Sequence, residues 1–156
     1  GDVCYSSGGI GYCQSGTWPS DGWESNNSCA ANKNLGSVDE DAWKSTTGSI
    51  SPPNDADWFR FQGLEAYHAC WPGSGQTYYL RVQVVVPAGR TYRVCVYRDS
   101  CSGASSCATG TGTMTVQRSV GGTCGSNDNK WGYVQIYATD GKQECQGYTL
   151  SYNYHD

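Results

Sequence analysis

Large aliphatic side chains are scarce in this chain of 156 residues. It contains four leucines, three isoleucines, eleven valines and two phenylalanines. A shortage of this kind indicates disorder when the net charge is high, but the net charge here is only −4. Twelve tyrosines and six tryptophans supply the missing bulk, because each aromatic side chain buries roughly 150–250 Å². The composition therefore predicts one folded domain with an aromatic core.

The chain lacks the residues that several classes of protein need for their function. No apolar run approaches the roughly 20 residues that cross a bilayer, and 14 acidic against 10 basic residues do not predict a nucleic-acid-binding face. The chain has neither a Gly-x-Ser-x-Gly nor a His-Glu-x-x-His motif. His68 and His155 are its two histidines, and we expect Cys70, two residues after His68, to be disulfide-bonded rather than nucleophilic. We therefore expect a protein that is not an enzyme, with no membrane span and no nucleic-acid partner.

One kind of catalysis stays open at this point, because a glycosidase needs only two facing carboxylates. The chain has four glutamates, and nothing in their spacing marks any two of them as facing each other. A small secreted glycosidase-like enzyme is therefore kept as an alternative. The four residues are Glu24, Glu40, Glu65 and Glu144.

The nine cysteines indicate the compartment. They are spread along the whole chain without a Cys-x-x-Cys pair, which excludes zinc ribbons and thioredoxin-like motifs and favours a disulfide framework in a secreted protein. Because the count is odd, one thiol is free or joins another chain. Sequence alone leaves the pairing open. The candidate pairs are Cys4 with Cys13, Cys101 with Cys107, and Cys124 with Cys145.

The hydrophobic pattern is that of an all-β protein. No segment of eleven or more residues has helical spacing, and the best helical candidate is one turn near residues 28–32. Alternation with a period of two instead predicts strands around residues 58–61, 78–86, 92–97, 113–118, 131–138 and 148–154. We interpret residues 99–112 as a long surface loop and the first fifty residues as strand-poor. The prediction is an antiparallel β-sandwich, and the first part of the chain could be a cysteine-tied extension wrapped over the sandwich or part of an assembly surface.

Oxygen-bearing side chains concentrate in three short segments, at residues 24–27, 39–41 and 54–57. Calcium binds six to eight oxygens from carboxylates, amides and carbonyls, which separate loops can supply. The alternative is that these segments are solvated turns in which Asn and Asp side chains cap the backbone. The residues alone leave both interpretations open.

Three tyrosines lie on strand faces opposite the valines, namely Tyr97, Tyr133 and Tyr137. Flat exposed rings stack on sugar and proline rings, so these residues are candidates for a ligand-binding platform. They could instead pack beneath the N-terminal extension.

A set of motifs occurs in a recognisable order. It comprises Glu-Ser-Asn-Asn-Ser at 24–28, Leu-Gly at 35–36, Asn-Asp-Ala-Asp-Trp-Phe-Arg-Phe at 54–61, Tyr-Leu-Arg-Val at 79–82, Pro-Ala-Gly-Arg-Thr-Tyr at 87–92, Val-Cys-Val-Tyr at 94–97 and Tyr-Thr-Leu-Ser-Tyr at 148–152. With this order and spacing, residues 24–154 resemble the bacterial pre-peptidase C-terminal domain family, including its relatives in collagenases.

This resemblance implies a jelly-roll β-sandwich over residues 24–156, preceded by a disulfide-tied extension over residues 1–23. Such a sandwich serves as a non-catalytic module of secreted bacterial proteins. Relatives in collagenases bind collagen, and some members bind calcium where the N-terminal segment meets the sandwich. Carried over to this chain, the ligands would be Glu24, Asn26 and Asn27 on one side and Asp55 and Asp57 on the other.

The sequence thus predicts a secreted, calcium-supported module that binds an extracellular polymer or a cell surface. The alternative is a structural subunit of an extracellular assembly or filament, which associates through its N-terminal extension or its odd cysteine.

Overall fold

A computed structural model describes residues 21–142 and 146–156 in full, together with the backbone of two N-terminal strands. These strands, β1 (Val3–Ser7) and β2 (Ile10–Gln14), form an antiparallel two-stranded sheet. A 3-10 turn follows at Cys29–Ala31, and Ser28 caps it by accepting a hydrogen bond from the backbone nitrogen of Ala31. The single helical turn predicted near residues 28–32 is therefore confirmed. In the part of the chain that is described, no helix has the length and apolar character needed to cross a membrane.

Nine further strands form two sheets, which confirms the predicted β-sandwich. The five-stranded sheet has the order β3-β5-β10-β7-β8, and the four-stranded sheet has the order β4-β11-β6-β9. All neighbouring strands are antiparallel except β3 and β5, which are parallel. The strands are β3 (Lys33–Asp39), β4 (Trp43–Gly48), β5 (Asp57–Leu64), β6 (Gly75–Val85), β7 (Tyr92–Arg98), β8 (Ser105–Gly110), β9 (Thr113–Thr123), β10 (Lys130–Ala138) and β11 (Tyr148–His155).

The core lies between the two sheets and is built from alternate strand residues. Along β6, the side chains of Tyr78, Leu80, Val82 and Val84 are fully buried while their neighbours are partly exposed. This is the period of two expected of a strand with one face in the core. Tyrosine supplies much of the volume that aliphatic residues supply elsewhere. Tyr78, Tyr92, Tyr148 and Tyr154 are among the largest fully buried side chains.

Two predictions about strand content are wrong. The first fifty residues are not strand-poor, because they contain β3 and β4. Residues 99–112 are not a continuous loop, because β8 pairs with β7 within them. All three strands lie at sheet edges and are rich in Ser, Thr, Gly and Lys, so their sequences lack the apolar alternation of a central strand. The predicted boundary after residue 23 stays a prediction.

The cysteine pairing also differs from the prediction. Cys101 bonds to Cys29 rather than to Cys107, since Cys107 lies in β8 directly opposite Cys95 and bonds to it. Strand register accounts for the bond between Cys95 and Cys107, whereas Cys29 and Cys101 lie outside the strands and meet although they are 72 residues apart.

The predicted bond between Cys124 and Cys145 is wrong as well, because Cys124 bonds to Cys70. Cys145 itself lies outside the described residues. The backbone register of β1 and β2 places Cys4 opposite Cys13. Their side chains lie outside the described part of the structure, so that pairing stays a prediction.

Candidate functional site

The segment before the 3-10 turn is held against the edge of the sandwich at the start of β5. The backbone nitrogen of Trp58 donates to the carbonyl of Asn26 at 2.9 Å. The Trp23 indole packs edge-on against Phe59, with ring centroids 5.8 Å apart, and its nitrogen donates to the carbonyl of Thr47 at 2.9 Å. These contacts place residues 21–26 beside the first residues of β5.

Two aspartates reach the same place from the sandwich. Asp55 ends the β4–β5 connection, and its carboxylate accepts hydrogen bonds from the backbone nitrogens of Ser51 at 3.1 Å and Ala56 at 2.8 Å. Asp57 is the first residue of β5, and its side chain is completely buried. One of its oxygens, Oδ2, accepts a hydrogen bond from the hydroxyl of Tyr148. Both carboxylates are thus fixed in orientation.

Three carboxylates converge at this junction. Glu24, Asp55 and Asp57 each present one oxygen, and these oxygens lie within 4.8 Å of one another. Asn26 is completely buried beside β5, and neither of its side-chain polar atoms has a hydrogen-bond partner in the described chain. The same holds for Oε1 of Glu24 and Oδ1 of Asp57. Buried oxygens without donors are costly, so the group has the character of an incomplete coordination shell.

The electrostatics of the group agree with this description. Burial and, to a smaller extent, the charges of Asp55 and Asp21 raise the pKa of the Glu24 carboxyl to about 7. Burial likewise raises the pKa of Asp57 to about 8, against the opposing hydrogen bond from Tyr148. The pKa of Asp55 is raised by burial too. Neighbouring carboxylates that are shielded from solvent favour their protonated forms unless a cation balances their negative charges.

The donor set fits calcium. The three atoms that converge are carboxylate oxygens from two separate segments, and hard oxygen ligands from separate segments are what calcium takes. Four of the five predicted ligands belong to this group of three carboxylates and the buried amide beside them. The fifth, Asn27, has an exposed side chain.

Sequence reasoning missed Asp21. Its carboxylate accepts hydrogen bonds from the backbone nitrogens of Trp23 at 2.8 Å and Ser49 at 2.6 Å, and its charge raises the pKa values of Glu24, Asp55 and Asp57. The available signal was its position three residues before Glu24 in the same polar segment.

The predicted aromatic platform lies on the outer face of the five-stranded sheet. Tyr97 on β7 is directly opposite Tyr133 on β10, and both are half-buried. The Tyr97 ring packs on Trp58 at 5.5 Å, and its hydroxyl donates to Oε1 of Gln135 at 3.4 Å. The structure therefore brings two of the three tyrosines together and fixes one of them.

Tyr137 lies further along β10, four residues from Tyr133. It lines a surface cavity of about 450 Å³ together with Gln135, Thr139 and Asp55. Because Asp55 belongs to the carboxylate group, this cavity adjoins the candidate calcium site.

The prediction that Cys70 is disulfide-bonded rather than nucleophilic is confirmed. Cys70 is bonded to Cys124 and therefore has no thiol to offer to His68. Nε2 of His68 instead lies 2.6 Å from Oε1 of Glu40.

No protein-family model matches the chain, and no curated protein matches it either. Among solved structures, the chain is similar to the pre-peptidase C-terminal domain of a collagenase from Bacillus anthracis. The identity is 13%, the TM-score is 0.39, and the match covers 79% of this chain and 95% of that chain. The similarity is one of fold, and the family suggested by the sequence motifs stays a prediction.

Proposed function

We propose that this chain is a secreted, non-catalytic β-sandwich module that calcium stabilises and that binds an extracellular polymer or a cell surface. The observation that carries the proposal is the convergence of the Glu24, Asp55 and Asp57 carboxylates beside the buried Asn26, in which Oε1 of Glu24, Oδ1 of Asn26 and Oδ1 of Asp57 have no hydrogen-bond partner in the described chain. A bound calcium ion supplies the missing charge. It also joins the N-terminal segment to β5, because its ligands come from both.

The outer face of the five-stranded sheet is the proposed binding surface. Tyr97 and Tyr133 lie opposite each other on neighbouring strands there, and Tyr137 on the same strand as Tyr133 lines the cavity. Aromatic rings combine a large apolar area with a polar hydroxyl, which suits both pyranose rings and proline-rich fibres. The Arg60 guanidinium lies over the Trp131 ring at 5.2 Å on the same face, which adds a cationic group to the surface.

The test is retention of the whole chain on insoluble fibrous collagen and on insoluble polysaccharides, in the presence of calcium. We expect Tyr133→Ala and Tyr137→Ala each to reduce retention by about tenfold, the loss expected for one aromatic anchor. Tyr79→Ala is the matched control, because Tyr79 is a half-buried tyrosine on β6 in the other sheet. Unchanged retention of both variants would remove the proposed surface.

A second candidate is a structural subunit of an extracellular assembly, and the N-terminal strands favour it. In the described backbone, β1 and β2 pair with each other and with neither sheet of the sandwich. A two-stranded hairpin alone is marginally stable, and the edge strands β4 and β9 of a neighbouring copy offer partners for it. Light scattering combined with a non-reducing gel tests this candidate. A strictly monomeric protein on both would exclude it.

A further inference from the structure

Two aromatic side chains are placed almost entirely in solvent, although aromatic residues fill the core of this protein. Tyr67 is 95% exposed and Trp71 is 84% exposed, whereas the next most exposed large apolar side chain among the described residues is Trp43 at 48%. Both belong to residues 65–74, the connection between β5 and β6, which we call the aromatic loop. Large apolar side chains held in water on a single loop point to a binding surface.

The aromatic loop is fixed at its C-terminal part. Cys70 is disulfide-bonded to Cys124. The backbone nitrogen of Gly73 donates to the carbonyl of Cys124 at 3.1 Å, and the nitrogen of Cys124 donates to the carbonyl of Ser74 at 2.8 Å. Trp71 therefore lies between a covalent bond and a pair of backbone hydrogen bonds.

The N-terminal part of the loop is fixed through Glu40. One oxygen of this carboxylate accepts a hydrogen bond from the backbone nitrogen of Ala66 at 2.7 Å, and the other lies 2.6 Å from Nε2 of His68. Tyr67 is the residue between these two contacts. A loop that is already ordered loses little conformational entropy when a ligand binds.

A cavity of about 410 Å³ lies between the aromatic loop and the turn that follows Cys124. Its wall combines one aromatic ring with a carboxylate, an imidazole, a hydroxyl and an amide. Both oxygens of Glu65 are held in place, one by the hydroxyl of Tyr78 at 2.6 Å and the other by the backbone nitrogen of Asp128 at 2.7 Å. The residues that carry these groups are Tyr67, Glu65, His68, Ser126 and Asn127.

We propose that the aromatic loop and this cavity form a carbohydrate-binding site for a neutral polysaccharide. A pyranose ring presents C–H groups on its faces, which suit the exposed rings of Tyr67 and Trp71, and hydroxyls at its rim, which suit the fixed polar groups of the cavity. The surroundings of His68 are acidic, because the negative charges of Glu40, Glu65 and Asp156 interact with its imidazole. Sulfated and uronic acid polymers are therefore disfavoured.

This site is separate from the calcium group. Asp57 begins β5 and the aromatic loop follows its last residue, Leu64, so the strand separates the two by about 23 Å at 3.3 Å per residue. The inference rests on the proposed function only in taking the chain to bind extracellular polymers. It adds a second surface and a ligand class.

The experiment measures binding of the whole chain to cellulose, chitin and xylan by pull-down, and to their soluble oligosaccharides by affinity electrophoresis. Tyr67→Ala and Trp71→Ala are compared with Trp43→Ala, which removes an exposed tryptophan from β4. We expect at least a tenfold weaker interaction for each loop variant and no change in binding for Trp43→Ala. The melting temperatures of the two loop variants should equal that of the wild type, because Tyr67 and Trp71 lie almost entirely in solvent. Heparin and alginate, which are anionic, should not be retained.

The outcomes separate this site from the proposed outer face. Loss of glycan binding in Tyr67→Ala and Trp71→Ala, with binding kept in Tyr133→Ala, supports the loop site whatever happens on collagen. Glycan binding that is lost only in Tyr133→Ala or Tyr137→Ala overturns the loop site and leaves the outer face standing. Absence of binding to every neutral glycan overturns the loop site as well, while retention on collagen still decides the proposed function.

Discussion

At the scale of single residues, Asp57 combines two opposing roles. Its carboxylate is completely buried, accepts a hydrogen bond from Tyr148 and lies beside two other carboxylates. Without a cation the charge destabilises the folded state, because burial and neighbouring like charges both favour the protonated form. In the proposed calcium-bound state, the same charge would be a ligand. Under the proposed function, the residue therefore lowers stability without calcium and raises it with calcium.

Replacing Asp57 with Asn should separate these two roles. The variant keeps an acceptor for Tyr148 and removes the buried charge, so in chelator near neutral pH we expect it to be at least as stable as the wild type. In calcium we expect it to lose most of the increase in melting temperature that the wild type shows. The measurement is thermal unfolding in chelator and in calcium. Asp39→Asn, which changes an exposed aspartate on β3, is the control and should keep the calcium response.

At the scale of elements, the strands that the sequence predicted are those with one face in the core. The β6 and β10 sequences alternate apolar and polar residues because one face of each strand lies in the core. No side chain of β8 is fully buried, so Ser105 to Gly110 has the composition of a loop. Pairings such as Cys29 with Cys101 span 72 residues and depend on how the sheets pack, which local pattern does not reveal.

The candidate site was predictable to a similar extent. Glu24, Asp55 and Asp57 were identified because polar oxygens cluster on either side of a strand start, and the structure brings their carboxylates together. Asn27 was included on the same grounds, but its side chain is exposed. The exposure of Tyr67 and Trp71 was not predictable, because their loop is held by contacts with residues distant in sequence, namely the bond of Cys70 to Cys124 and the contacts with Glu40.

Contact between elements also explains a glycine near the end of β5. A Cβ atom on Gly63 would overlap the ring of Tyr154, which β11 places in the core. We expect Gly63→Ala to destabilise the protein by about 1–3 kcal/mol, the usual effect of overpacking a core. Gly75→Ala is the control, because nothing lies within 4 Å of a Cβ atom there. Denaturant unfolding of both variants measures the difference, and equal stabilities would contradict the packing argument.

The Cys29–Cys101 bond ties the N-terminal segment to the connection after β7. In the chain-entropy model, a bond that closes 72 residues stabilises by about 4 kcal/mol, and one that closes 12 residues by about 3 kcal/mol. We therefore expect the double variant Cys29→Ala/Cys101→Ala to lose more stability than Cys95→Ala/Cys107→Ala. The reverse order in thermal unfolding would show that the edge bond between β7 and β8 matters more.

At the scale of the whole molecule, a small aliphatic core is supplemented by interactions that do not depend on apolar area. Three disulfides among the described residues restrict the unfolded chain. Four tyrosine rings fill the centre of the sandwich. The proposed calcium ion would add a stabilisation that depends on solution conditions, since a ligand that binds only the folded state stabilises it by mass action.

The stability of the folded state should depend on pH with opposite signs in chelator and in calcium. Glu24 and Asp57 have folded-state pKa values of about 7 and 8, above their ordinary values of 4.5 and 3.8. The folded state then binds more protons than the unfolded state between those limits, so stability in chelator should fall as pH rises from about 4 to about 8. Calcium binds the deprotonated carboxylates, so its stabilising effect should grow over the same range.

At about a hundredfold excess over Kd, mass action adds about 2.7 kcal/mol, or about 5–10 °C in melting temperature for a chain of this size. Melting curves at about pH 5 and about pH 8, in chelator, calcium and magnesium, measure the effect. Magnesium should substitute poorly, because it requires a smaller octahedral shell. Melting temperatures that do not respond to calcium at the higher pH would contradict the metal site, and the buried carboxylates would then have to persist in their protonated form.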